Sequence, residues 1–183
     1  MGETLNKMFS AEEIDRRVSE LAAEIKNDYG SKLITMVGAL RGAVIFMSDL
    51  ARKLDNNVEF EFIRTASYGS SSTSEGNVKL ELLARFPFTG RNILLIEDIV
   101  DSGHTLAFLQ EYISGQDPES FKICALLDKP DRRVNHEAKF DYLGFTIPDK
   151  FIVGYGLDYD QKYRNLPYIG YLEFDQGEDV NFE

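Results

Sequence analysis

The stretch from Asn92 to Leu106, N-I-L-L-I-E-D-I-V-D-S-G-H-T-L, constrains this chain more than any other. Ile93-Leu94-Leu95-Ile96 is a continuous apolar run, as a strand buried on both faces requires. The run stops at two adjacent acids, Glu97 and Asp98. Asp101 follows, and then Ser102-Gly103-His104-Thr105, a small, hydroxyl-bearing turn. Leu106, Leu109, Tyr112 and Ile113 then form one helical face. This order puts carboxylates at the carboxyl end of a strand and free N–H groups at a helix start. Open α/β sheets bind ligands at that end of their strands. A helix N-terminus beside a glycine is an anion site. A ligand with both a diol and a phosphate suits the place: hydroxyls donate to Glu97 and Asp98, and the phosphate accepts from the N–H groups of 101–105. The plainer reading is an acidic strand end followed by an ordinary N-cap.

The rest of the chain repeats the strand–helix alternation. Ser10-Ala11-Glu12-Glu13 matches a capping box. Ile14, Val18, Leu21, Ala22 and Ile25 then predict a helix to about Asp28. Leu33–Val37 reads as a strand, and Gly42–Leu54 as a helix buried through Val44, Met47, Leu50 and Leu54. Val58–Ala66, Asn77–Ala84, Phe121–Leu127 and Tyr142–Ile147 read as strands, with shorter ones at Phe151–Tyr155 and Tyr168–Phe174. The expectation is one α/β domain over 1–183: a mostly parallel central sheet flanked by helices. The acidic tail Asp175–Glu183 is expected to be loosely held. Tyr68–Asn77, almost all Ser, Thr and Gly, is either a plain hairpin loop or a lid over a site.

Charge narrows the partners. The chain has 31 acids against 20 bases, a net charge of -11, which disfavours nucleic acid and anionic membrane. A phosphorylated small molecule stays compatible, because local amides, bases and a cation can reverse the field in a pocket. The one cysteine, Cys124, lies in an apolar run and is expected to pack in the core. His104 and His136 lack metal-ligand spacing. With no signal-like N-terminus and no spanning apolar run, a cytoplasmic protein is the expectation.

The stretch at 93–105 resembles the phosphoribosyl pyrophosphate (PRPP) motif of type I phosphoribosyltransferases. A second segment, Pro148-Asp149-Lys150-Phe151-Ile152-Val153-Gly154-Tyr155-Gly156-Leu157-Asp158-Tyr159, resembles the carboxyl-terminal purine-binding segment of the hypoxanthine-guanine phosphoribosyltransferases. The resemblance runs from about Met36 to Tyr171. It implies that fold, with a small base-binding hood and a lid beginning at Ser67-Tyr68. It also implies transfer of a ribosyl phosphate from PRPP to hypoxanthine or guanine, with Mg2+ as cofactor and a homodimer or homotetramer as the assembly.

The resemblance further implies roles for single residues. Glu97 and Asp98 hold the ribose diol and magnesium, and Ser102, Gly103, His104 and Thr105 hold the 5′-phosphate. Asp101 is the catalytic acid–base group. Leu40, Arg41 and Gly42 form a pyrophosphate loop with a non-proline cis peptide at Leu40-Arg41; the purine enzymes often carry Lys at Arg41. Lys129 donates to the purine 6-oxo group, Phe151 stacks on the base, and Ile152 reads its edge through the backbone. Asp158 lies near a second magnesium and Arg164 near pyrophosphate. Without the resemblance, Lys129 reads as a solvated charge, Phe151 as core and Asp158 as a turn acid. The alternatives are a regulator of the same fold that senses PRPP or nucleotides, and a pyrimidine or adenine transferase.

Overall fold

The computed structural model describes residues 3–55, 57–67, 78–82, 87–137 and 139–174. In chain order they form β1 (Glu3–Phe9), α1 (Ala11–Tyr29), β2 (Ile34–Ala39), α2 (Val44–Lys53), β3 (Val58–Ser67), β4 (Val78–Leu82), β5 (Asn92–Val100), α3 (His104–Ser114), β6 (Ser120–Asp128), a 3-10 turn (Pro130–Arg132), β7 (Tyr142–Thr146), β8 (Phe151–Val153) and β9 (Ile169–Phe174). The main sheet has the order β4-β3-β2-β5-β6-β7. β3, β2, β5, β6 and β7 are parallel, and β4 runs antiparallel on β3. A second sheet, β1-β9-β8, is wholly antiparallel and forms the hood. No helix among the described residues is long and apolar enough to cross a membrane.

The chain steps from β2 outward to β3, then returns to lay β5 on the other side of β2. The order therefore reverses between β2 and β5, and the loops leaving their carboxyl ends diverge there and open a crevice. Into it come the turn after β2, Leu40–Ala43, and the turn after β5, Asp101–Gly103.

α1 begins as the capping box predicts: Ser10 Oγ accepts from the Glu13 N–H (3.2 Å), and Glu13 Oε2 accepts from the Ser10 N–H (2.8 Å). Its buried stripe is Ile14, Val18, Leu21, Ala22, Ile25 and Tyr29. One core cluster lies under α1 and α2 and continues into the hood through Ile152 and Ile169. A second, with Val37, Leu95, Leu106, Leu109 and Ile113, lies under α3 on the opposite face. Cys124 is fully buried, as expected.

Four expectations need correction. The strand at 93–96 does not end at the acids: β5 runs on to Val100, with Glu97 opposite Ala125 and Val100 opposite Asp128. Ladder hydrogen bonds use the backbone, so they continue where apolar side chains stop. α2 starts at Val44, not Gly42, and Val44 is exposed while Phe46 is buried with Met47 and Leu50. β2 extends to Ala39. β1 was not anticipated. Of the proposed strand Asn77–Ala84, Val78–Leu82 is described and forms β4; the tail 175–183 and the stretch 68–77 lie outside the described residues.

Candidate active site

Two cavities meet at the end of β5. The smaller, about 270 Å³, is lined by Thr65, Glu97, Asp98, Ile99, Val100, Asp101, Ser102, Gly103, Thr105 and Leu106. The larger, about 580 Å³, lies under the hood and includes Asp101, Lys129, Arg132, Asp149, Lys150, Phe151, Ile152, Leu157 and Asp158. Asp101 and Ile99 line both. Asp101 thus stands at the junction between a crevice of acids and N–H groups and a cavity with an aromatic wall.

Burial sets the charge state of the acid pair. Glu97 is buried, and its Oε2 has no hydrogen-bond partner among the described residues. Burial, and then the adjacent Asp98 carboxylate, push the Glu97 carboxyl well above the usual carboxylate range. Asp98 is pushed up to about 6, first by burial; the Ile99 N–H that donates to its Oδ1 (2.8 Å) and the Arg164 guanidinium offset part of this. Gly42 packs directly on this carboxylate. A Cβ there would lie 1.4 Å from Asp98 Oδ2, so any side chain at this position would displace the Asp98 carboxylate. One bond before the Arg41-Gly42 peptide, Leu40-Arg41 is cis.

The turn after β5 is braced from outside. Gly103 caps α3 with φ 87°, and a Cβ on it would meet the Asn135 carbonyl at 2.5 Å. The N–H groups of Val134 and Asn135 donate to the Ser102 carbonyl (3.0 and 2.9 Å). Arg133 Nε donates to the Asp101 carbonyl (3.3 Å), while its guanidinium pairs with Asp128. The side chains of Ser102 and Thr105 border the smaller cavity. The His104 side chain does not. It lines a separate hollow on the outer face of α3 with Glu111 and Asn135, because the first helical turn rotates it away from the crevice.

Lys129 is buried at 7% exposure rather than solvated. It follows β6 and donates from Nζ to the Lys150 carbonyl (2.9 Å), with Asp149 Oδ1 at 3.5 Å and Asp101 Oδ2 at 3.9 Å. Phe151 meets Tyr159 and Phe174 edge-on, with centroids at 5.3 and 6.0 Å, which fixes the plane of its ring in the cavity wall. Asp158 lines the same cavity, pairs with Arg164 (2.7 Å) and accepts from the Gln161 N–H (2.9 Å). Ser67 ends β3, and Tyr68 lies outside the described residues.

Sequence reasoning missed Thr65, Arg132, Asp149 and Gln161. Arg132 Nε reaches Asp101 Oδ1 at 3.3 Å because the 3-10 turn folds it back under the cavity. Nothing in its local pattern distinguishes it from a surface base.

The comparisons with known proteins agree with one another. The family model of the phosphoribosyl transferase domain matches residues 7–160. The chain is 46% identical over 166 residues to the hypoxanthine-guanine phosphoribosyltransferase of Bacillus subtilis (strain 168), covering 91% of this chain and 92% of that protein. It is 42% identical over 179 residues to the corresponding protein of Mycobacterium tuberculosis (strain CDC 1551 / Oshkosh), covering 94% and 88%. A crystal structure of a Bacillus anthracis hypoxanthine-guanine phosphoribosyltransferase superposes with a TM-score of 0.87 at 39% identity, covering 94% of this chain and 100% of that one.

Proposed function

The chain belongs to the phosphoribosyl transferase domain family, and from that membership and the geometry we infer that it is a purine salvage transferase. It joins N9 of hypoxanthine, and of guanine, to C1′ of PRPP and releases pyrophosphate. One observation carries the reading: Asp101 lines both the crevice that suits a ribose phosphate and the cavity that suits a planar base. C1′ and N9 must meet at such a junction.

Each site residue then has a task. The N–H groups of 101–105, with the hydroxyls of Ser102 and Thr105, hold the 5′-phosphate; binding energy remote from C1′ positions the reacting atoms. Glu97 and Asp98 hold the ribose hydroxyls. Phe151 stacks on the purine, Ile152 presents its backbone to the base edge, and the Lys129 ammonium donates to the 6-oxo group. An ammonium has no lone pair to accept from an amino group, so 6-oxopurines are preferred to adenine. Asp101 accepts the proton that N7 or N9 gives up as the glycosidic bond forms. Arg164, Arg41 and the main chain of Leu40–Gly42 meet the departing pyrophosphate.

Mg2+ fits the residues present. The buried, unpartnered Oε2 of Glu97 and the carboxylate of Asp98 are hard oxygen donors. Among the described residues no three acidic, histidine or cysteine side chains form a self-sufficient cage. Glu97 and Asp98 at the ribose, and Asp158 towards pyrophosphate, would therefore share the ion with substrate oxygens, as magnesium sites commonly do. When bound, the ion supplies positive charge that steadies the leaving group.

We read 1–183 as one domain, since a single core cluster draws on both sheets. The one cysteine is buried and free, which suits the reducing cytoplasm as the place of the reaction. A homodimer or homotetramer is the assembly we propose, and sedimentation velocity tests it. The regulatory reading is not favoured, because the catalytic Asp101 and the base-reading Lys129 are both retained and face one another.

The test is a rate assay with PRPP, Mg2+ and a panel of free bases, using wild type and Asp101→Asn. Hypoxanthine and guanine should be substrates. The variant should lose roughly 10²–10⁴-fold in kcat while keeping its KM for PRPP. An unchanged kcat would remove Asp101 from the chemistry, and a preference for adenine or a pyrimidine would overturn the assignment.

A further inference from the structure

Between Asp158 and Arg164 the chain makes a two-residue turn. The Tyr159 N–H donates to the Lys162 carbonyl (3.2 Å) and the Lys162 N–H to the Tyr159 carbonyl (2.9 Å). The two central residues, Asp160 and Gln161, have φ of 49° and 63°. A turn of this kind needs left-handed backbone at both centres and takes Asn-Gly or Asp-Gly by preference. Asp160 fits that pattern. Gln161 stands where glycine is favoured, so the turn itself gives no reason for a long side chain.

The side chain has a use elsewhere. Gln161 Oε1 accepts from Arg41 Nη1 at 3.2 Å and from Arg164 Nη2 at 3.2 Å. Arg164 is anchored independently by Asp158 (2.7 Å) and by the Gly156 carbonyl (2.8 Å). Arg41 comes from the turn after β2, 120 positions away in the sequence. One amide oxygen therefore ties together two cations from separate segments. Two guanidinium groups on a single acceptor repel each other, and a neutral amide holds them without cancelling their charge. A carboxylate at this position would spend that charge within the protein.

We infer that Gln161 is a positioning residue for the pyrophosphate end of the site. Its side-chain oxygen holds Arg41 against Arg164, so that a diphosphate group meets both guanidinium groups already converged. The inference rests on the reading of Arg41 and Arg164 as pyrophosphate-facing residues. It assigns the side chain of Arg41 a partner within the chain.

Initial-rate kinetics and thermal unfolding of Gln161→Gly and Gln161→Met test it. Glycine relieves the left-handed backbone and methionine keeps the bulk, but neither accepts a hydrogen bond. Both should raise the KM for PRPP on the order of 5–10-fold and leave the KM for hypoxanthine within about twofold. The Tm of Gln161→Gly should be unchanged or higher, because a residue needing positive φ is replaced by one that adopts it freely. In an Arg41→Gln background, Gln161→Gly should add little further increase, since the two act through one contact. If Gln161→Gly and Gln161→Met keep the wild-type KM for PRPP while Arg41→Gln and Arg164→Gln raise it, the inference fails and the reading of the arginines stands. If the arginine variants also keep the wild-type KM, both fail. A parallel rise in the hypoxanthine KM would reduce Gln161 to a general support of the loop and overturn the inference.

Discussion

Asp98→Asn should stabilise the ligand-free protein at pH 8 while removing its activity. Asp98 holds its proton up to about pH 6, against 3.8 for an ordinary aspartate. A raised acid contributes stability that is present below its unfolded value and lost as pH rises through its folded value. The protein therefore gives up stability between about pH 4 and pH 6 as this carboxyl ionises. At 1.36 kcal/mol per decade the full change is worth about 3 kcal/mol. The pair with Glu97 titrates jointly and can relax, so we expect roughly 1–3 kcal/mol to be recovered by the neutral amide. Asparagine keeps an oxygen for the Ile99 N–H and its volume is nearly the same, so the packing against Gly42 survives. For a chain of this length the gain corresponds to roughly 2–10 °C in Tm. Urea unfolding at pH 5 and pH 8 is the assay: wild type should lose stability across that interval, and Asp98→Asn should lose less, with the remainder coming from the buried Glu97. A variant less stable than wild type at pH 8, or a wild type whose stability is flat from pH 5 to pH 8, would refute the reasoning.

Three further outcomes follow from the same geometry. Lys129→Ala should raise the KM for hypoxanthine and guanine far more than for PRPP, by about 10–100-fold, the equivalent of losing a hydrogen bond to a charged group at 1.5–3 kcal/mol; a base KM that stays put would dismiss Lys129 as the 6-oxo donor. Excess chelator should abolish transfer and added Mg2+ should restore it, because Glu97, Asp98 and Asp158 do not complete a metal cage by themselves; full activity in chelator would exclude the ion. Affinity for PRPP with Mg2+ should weaken as pH falls through about 6, where Asp98 takes up its proton and ceases to be a ligand; calorimetry at pH 5.5 and pH 8 would show equal affinities if the carboxylate has no part.

What could be read from the sequence was what lies consecutive within it. The acids, the Gly103 turn and the start of α3 are successive residues, so their chemistry and their place at a strand end could be read together. The hood could be read only in part. β1 carries Thr4, Asn6 and Lys7 among its apolar residues and shows no firm alternation. It becomes a strand because β9 pairs with it, Leu5 opposite Leu172, and because Phe9 stacks on Phe145 at 4.2 Å. Such long-range pairing leaves no local mark. The face of α2 was misread for a different reason. Val44, Met47, Leu50 and Leu54 and the set Phe46, Met47, Leu50 and Leu54 both satisfy helical spacing. The sheet selects the second, because the larger ring fills the space beneath it and Val44 is left facing solvent. Arg132, Asp149 and Gln161 were missed because each acts on a residue that only the tertiary fold brings near.

The charges at this site are arranged against the fold's own interest. β5 and β6 lie side by side, Glu97 is on one and Lys129 just beyond the end of the other, and both are buried. A sequence selected only for stability would pair such charges or replace them with apolar residues. Here the Lys129 ammonium is held by a neutral carbonyl, with the carboxylates of Asp149 and Asp101 at the outer edge of contact. Glu97 keeps one oxygen with no partner among the described residues. Each charge is fixed in direction yet left with bonding capacity. The neutral amide of Gln161 likewise holds Arg41 without cancelling its charge, while Arg164 also pairs with Asp158. On the roles proposed above, the three groups would face purine, ribose and pyrophosphate in turn, and a substrate that supplies all three partners would recover in a single binding event what folding left unsatisfied. Fragments of that substrate, a free base or pyrophosphate alone, satisfy only one group each, and the site should bind them correspondingly weakly.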